Sequence, residues 1–125
     1  MILDTNALSA FADEDPAILT ILAQAEQVAV PVVVLGEYRY GIAQSRNKAG
    51  YSTWLDNLLP DCMVLDINEK TTLYYADIHL ELRRAGRPIP TNDIWVAALS
   101  RQHRLSILSR DRHFDFVSGT QRLEW

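Results

Sequence analysis

Four short apolar-rich runs, spaced along the chain with helical segments between them, set the fold class. They are Met1-Ile2-Leu3, Val28-Ala29-Val30, Met63 to Ile67 and Leu105 to Ser109, and the mostly polar Gln121 to Trp125 is a candidate for a last strand. Strands separated by helices are joined by right-handed crossovers, so they form a mostly parallel sheet with helices on both faces. The intervening segments carry their own signals. A helix is expected from near Ala7, and Asp15-Pro16 starts a second that runs to about Glu26. Pro31 opens a third, "PVVVLGEYRYGIAQS", before the polar stretch Arg46-Asn47-Lys48; Tyr51 to Leu59 reads as a fourth, stopped by Pro60. Asn68 caps a long helix whose expected apolar face is Leu73, Ala76, Ile78, Leu80 and Leu82, ended by Gly86 and Pro88. "TNDIWVAALSRQH" follows, with Ile94, Ala97 and Ala98 as a narrow apolar stripe, and "RDRHF" turns into a short last helix.

At 125 residues, 48% hydrophobic and 22% charged, the chain fits one domain, 1–125, with a real core. The longest apolar stretch, Val28 to Leu35, is interrupted by Pro31, and no membrane span is expected. No basic stretch precedes the first apolar residues, so no signal peptide is expected. The lone Cys62 rules out an internal disulfide, and a cytoplasmic location follows as the expectation. A net charge of −4 argues against a general nucleic-acid coat. It leaves room for an enzyme whose acids are gathered around a cation.

Four acids fall where such a gathering would occur. Ligands of open parallel sheets collect beyond the C-terminal strand ends, and Asp4 and Asp111 each follow a strand. Asp93 is in the first turn of its helix, where an acid also complements the helix dipole. Glu37 sits beside the apolar row Val34, Tyr38, Gly41 and Ile42. Asp4 has a second reading as the cap of the first helix. If the four acids converge, their mutual repulsion calls for a divalent cation. Hard oxygen ligands without paired His or Cys favour Mg2+, or Mn2+, over zinc. His79 and His103 read as surface or packing residues, and His113 as a residue ordering the turn after Asp111.

"MILDTN", the glutamate of "VVVLGEYRYG", "GRPIPTNDIWVAA" and "LSRDRHF", in that order, resemble a PIN-domain protein of the VapC toxin type over Met1 to about Phe116. The resemblance implies a PIN-like α/β three-layer sandwich with a sheet of about five strands in the order 3-2-1-4-5. It implies a metal site at Asp4, Glu37, Asp93 and Asp111, with Asp4 and Asp93 as direct ligands. Asp115 competes for the fourth place, but only Asp111 matches the motif. The implied activity is Mg2+-dependent endoribonuclease action, as the toxin of a type II toxin–antitoxin pair, with transfer RNA the favoured substrate. The implied partners are a second copy of the chain and an antitoxin whose tail sets a basic residue in the acidic cleft. Tyr38, Tyr40, Trp54 and Leu58 are apolar candidates for its groove, with core packing the expected fate of at least two of them.

Thr5, Asn6, Ser109, Arg110 and Arg112 are candidates for contacts to phosphate or to bound water, with Arg83, Arg84 and Arg87 as further backbone contacts. Two other readings remain: a non-catalytic PIN-like module that binds RNA, and a metal-dependent phosphatase. The second is weakened by "DTN", which lacks another acid two residues after Asp4.

Overall fold

Parallel strands buried on both faces need apolar side chains on both sides, and the runs that begin at Met1, Val28 and Leu105 supply them. The computed structural model describes residues 1–125. Its strands are β1 (Ile2–Leu3), β2 (Ala29–Pro31), β3 (Met63–Leu65), β4 (Ile107–Leu108) and β5 (Arg122–Leu123). They form one sheet in the order β3-β2-β1-β4-β5, and every pairing is parallel. The register sets Ile2 beside Ile107 and Leu3 beside Leu108, so β1 and β4 end level with each other. Ile2, Leu3, Val30, Ile107 and Leu108 are all fully buried at the centre. The α/β class and the strand order agree with expectation.

Six helices cover the sheet: α1 (Thr5–Ala12), α2 (Pro16–Ala23), α3 (Val32–Gln44), α4 (Lys48–Leu58), α5 (Glu69–Arg84) and α6 (Thr91–His103). A 3-10 turn follows β4 at Arg112–Phe116. α1 begins two residues before Ala7. α4 begins three before Tyr51, because the Asn47 carboxamide accepts from Gly50 N and so turns the polar stretch into a helix start. α5 starts with a capping box between Asn68 and Thr71, and the chain leaves it through Gly86 at φ +66°.

The inward face of α5 differs from the expected one. Thr71, Ile78 and Leu82 are buried, with Tyr75 stacked on Trp95 of α6 at 4.0 Å, whereas Leu73 is 66% exposed and Leu80 47%. Residues 71, 75, 78 and 82 form one helical stripe. A buried threonine starts it, because Thr71 Oγ1 is satisfied by Gln102 Oε1 at 2.7 Å and takes part in the cap. Of the expected face, Ile78 and Leu82 are inside, while Leu73, Ala76 and Leu80 are outside. α6 is buried on more than its expected stripe: Ile94, Val96, Ala97, Ala98, Leu99 and Ser100 are all inside. It is the helix that carries Asp93, so its rigidity is passed to the site.

The two faces of α5 should therefore respond differently to substitution. Leu73→Gln and Leu80→Gln should each change stability by no more than about 0.5 kcal/mol, as surface changes do. Ile78→Ala should cost about 2–5 kcal/mol. Urea denaturation of the three variants checks the assignment.

Candidate active site

Because β1 and β4 are neighbours ending in register, the residues that follow them meet. Ser109, fully buried, donates from Oγ to Asp4 Oδ2 at 2.7 Å. The same hydroxyl accepts from Asp111 N at 2.9 Å, so one side chain ties the two strand-end acids together. Asn6 braces the arrangement: its Nδ2 donates to Asp4 Oδ2 and Ser109 Oγ at 3.2 Å each, and its Oδ1 accepts from Arg110 N at 3.1 Å. These side-chain bonds to Asp4 all fall on Oδ2. Asp4 occupies the N-cap position of α1 with extended backbone, yet its carboxylate makes no capping bond. The capping reading of Asp4 is thus excluded by geometry.

α3 and α6 bring the other two acids to the same strand ends. Thr5 Oγ1 donates to Glu37 Oε2 at 2.6 Å, and Asn92 Nδ2 donates to Glu37 Oε1 at 2.5 Å. Glu37 is therefore a held carboxylate and not a freely solvated one. Asp93, 15% exposed, lies on the first turn of α6. His113 Nδ1 is 2.9 Å from Asp93 Oδ2 and 3.0 Å from Asp111 Oδ1. Asp115 points elsewhere, forked onto Arg122 at 2.8 and 3.0 Å, which leaves the fourth place to Asp111.

The electrostatics are those of crowded like charges. Burial pushes the Asp4 carboxyl above its ordinary range; the Ser109 hydrogen bond pulls it partly back, while Glu37 and Asp111 raise it. Burial likewise pushes Asp93 up to about 6, opposed by the hydrogen bond to His113 and reinforced by Asp111 and Asp4. His113 is itself raised, first by its hydrogen bond to Asp93. Positive charge at this spot is favourable. Asp93, Asp111 and His113 offer ligand atoms all within 4.8 Å of one another, and Asp4 keeps Oδ1 clear of its side-chain donors. A donor set dominated by carboxylate oxygen fits a hard divalent cation.

Several expected contacts have other roles. Ser109 is too buried to touch a substrate and instead fixes Asp4; Thr5 is engaged with Glu37. The Arg110 guanidinium lies 4.5 Å over the Trp125 ring and 3.8 Å from Asp15. Arg112 remains exposed at the rim. Tyr38 is only 6% exposed and belongs to the interior, packed on Trp54, which meets Phe11 edge-on; Trp54 and Leu58 are half-buried and Tyr40 is 67% exposed. Arg87 lies over Phe116 at 4.9 Å. Two site residues were not singled out from sequence as such. Asn92 precedes Asp93 at the head of α6, and nothing in its position foretells its bond to Glu37 on α3. The signal for His113 was its place two residues after Asp111, the distance at which an Asx turn folds a side chain back.

The raised groups predict how metal-free protein responds to pH. Between 3.8 and about 6 the folded state holds a proton on Asp93 that the unfolded chain has lost, so this group's contribution falls as pH rises. His113, raised above 6.5, stabilises the fold below that value and stops doing so as pH passes its folded pKa. Both act in one direction. In calorimetry without metal, the Tm of Asp93→Asn minus that of wild type should grow from about pH 4 to about pH 6. Added Mg2+ should raise the wild-type Tm above pH 6 more than that of the variant.

The PIN domain family model matches residues 1–119. Ribonuclease VapC2 of Rickettsia felis is 32% identical over 100 residues, 77% of this chain and 75% of that protein. Ribonuclease VapC2 of Haemophilus influenzae is 28% identical over 128 residues, 98% of this chain and 96% of that protein. Among solved structures, VapBC2 of Rickettsia felis, bound to a DNA fragment from its promoter, superposes with a TM-score of 0.86. Sequence identity there is 25%, covering 99% of this chain and 97% of the other. FitAcB of Neisseria gonorrhoeae, at 24% identity and a TM-score of 0.84, shares the fold. With the strand order, the four convergent acids and these matches in hand, the chain belongs to the PIN-domain family, in its VapC group.

Proposed function

We propose that this protein is a divalent-metal-dependent endoribonuclease, the toxin of a type II toxin–antitoxin pair. The observation that carries the reading is the meeting of Asp4, Glu37, Asp93 and Asp111 beyond the ends of β1 and β4, held by neutral donors and a histidine. The similarity to proteins named ribonuclease VapC supports the activity, and the VapBC assembly among the structural neighbours supports an antitoxin partner.

Asp4, Asp93 and Asp111 are the residues that would hold the metal, Mg2+ or Mn2+. When bound, it neutralises charge on the scissile phosphate and makes the attacking water more acidic. Glu37, fixed by Thr5 and Asn92, has the rigidity to orient that water. Ser109 and Asn6 keep the Asp4 carboxylate in one rotamer, which is how supporting hydrogen bonds tune a ligand. Arg112 stands free at the rim to meet phosphate oxygens. Transfer RNA is the substrate class that the family resemblance favours.

The antitoxin enters this reading through the same charges. An arginine fork pairs with carboxylates in two parallel hydrogen bonds, so a basic side chain on the antitoxin tail would both neutralise the cleft and exclude the metal. Self-association as a dimer belongs to the proposal and is read out by sedimentation.

Asp4→Asn is the central test. Cleavage of RNA in Mg2+ should fall below 1% of wild type, beyond the roughly 10–100-fold losses seen when groups supporting a metal ligand are removed. The variant should fold with an unchanged or higher Tm, since one negative charge leaves a repulsive cluster. Chelator should silence the wild-type protein, and co-purified antitoxin should do the same. A folded Asp4→Asn variant with full activity would overturn the assignment.

A further inference from the structure

We propose that the furrow between α1 and α3 is a nucleobase site, and that it takes a guanine flanking the scissile phosphate. The proposal rests on the ribonuclease reading and extends it to sequence preference. Thr5, Ser9 and Asp13 recur every four residues along α1 and its C-cap; Glu37, Gly41 and Ser45 recur every four along α3 and its C-cap. Positions four apart stack on one helix face, so two rows of small and polar residues face each other. Between them lies a cavity of about 230 Å³, walled by Tyr38, Ile42 and Tyr51.

The furrow begins at the acids. Its near end is the Thr5–Glu37 hydrogen bond, and its far end is the bond from Tyr51 Oη to Asp13 Oδ1 at 2.9 Å. Eight residues of helix at about 1.5 Å each place those ends about 12 Å apart. A group entering the furrow is therefore next to whatever phosphate the acids address. Two packed helices would ordinarily fill such a seam with aliphatic side chains. Here Gly41 leaves the seam open, and a Cβ built on it would meet nothing within 4 Å.

Size and chemistry select the occupant. The volume is below the roughly 300–1,000 Å³ of sites for drug-sized ligands, which suits a single base. Asp13 and Glu37 repel phosphate, so the nucleotide enters base first. The aromatic and aliphatic walls receive the base faces, and the polar rows receive an unpaired Watson–Crick edge, as in single-stranded RNA recognition. Tyr51 engages Asp13 through Oδ1, leaving Oδ2 as an acceptor. The Ser45 hydroxyl accepts from Asn47 N and keeps its own proton to donate. Guanine alone presents two adjacent donors, N1–H and N2–H, for a carboxylate, with O6 beside them for a hydroxyl. Adenine, cytosine and uracil each set an acceptor beside the donor, which a carboxylate opposes.

Titration of isotope-labelled protein with guanosine, inosine, adenosine and cytidine, followed by NMR, tests the site without requiring cleavage. Guanosine should give saturable shifts at Ser9, Gly41 and Ser45, at least ten-fold tighter than inosine, which lacks the N2 amine. Asp13→Asn should erase that difference. Gly41→Leu should abolish the shifts while keeping the native Tm, because the added side chain fills open space. In cleavage of RNAs differing at one flanking base, wild type should favour guanosine at least ten-fold in kcat/KM, and both variants should lose the preference. Equal shifts with all four nucleosides, or a guanosine preference that survives both substitutions, would overturn the proposal. So would a Gly41→Leu variant that keeps its base preference but is no longer inhibited by an arginine-bearing antitoxin tail peptide, since the furrow would then serve the protein partner. Guanosine binding in the furrow by a wild-type protein that cleaves no RNA would count against the ribonuclease reading alone.

Discussion

Mutual repulsion among four carboxylates is the constraint around which this protein is built. Like charges a few ångströms apart raise one another's pKa and disfavour the compact state. The chain meets that cost with donors that carry no charge of their own. The Ser109 hydroxyl, the Asn6 amide, the Thr5 hydroxyl and the Asn92 amide each face an acid. Only His113 can bring positive charge into the midst of the cluster, between Asp93 and Asp111. Two of the basic residues nearby are occupied otherwise, Arg122 forked onto Asp115 and Arg110 lying on Trp125, while Arg112 is exposed. The deficit of positive charge is thus local and structural, while the chain as a whole carries only −4.

The sheet is what makes such crowding achievable. Strands of two or three residues contribute little area, yet their parallel register fixes where the chain leaves the sheet to within one residue. Asp4 and Ser109 leave adjacent strands at the same level, and a hydroxyl can then bridge them. Glu37 and Asp93 come from helices whose inner faces are buried, Tyr38 on α3 and Ile94, Val96 and Ala97 on α6. Acids mounted on rigid elements hold their spacing even when repelling one another.

Much of this was legible in the sequence, for reasons that differ by residue. Four of the five strands showed themselves as short apolar-rich runs, and Asp4, Asp93 and Asp111 as acids at element ends, whereas Glu37 sits inside its helix. That β1 lies beside β4 could not be read from the runs, since pairing is a long-range property; it came with the family resemblance. The face of α5 was misread because Thr71 and Tyr75 are not aliphatic, and their burial depends on Gln102 and Trp95 across the helix interface. Of the four apolar groove candidates, at least two were expected to pack inward, and Tyr38 does so against Trp54, which in turn meets Phe11. Ser109 and Thr5 are legible as site residues, expected to contact phosphate or bound water. Their hydroxyls are spent on the acids, a distinction that only burial and distance reveal.

The bond between Asp4 and Ser109 spans 105 positions of chain. During synthesis, Asp4 is made early and waits, exposed and without its partner strand, until β4 and the turn carrying Asp111 have been translated. A fragment cut short before β4 carries at most three of the four acids and no cleft. The long-range pairing that slows folding also acts as a delay on danger. The most hazardous feature of the chain is assembled only when nearly all of the domain is available to fold around it, and when a partner can meet it whole.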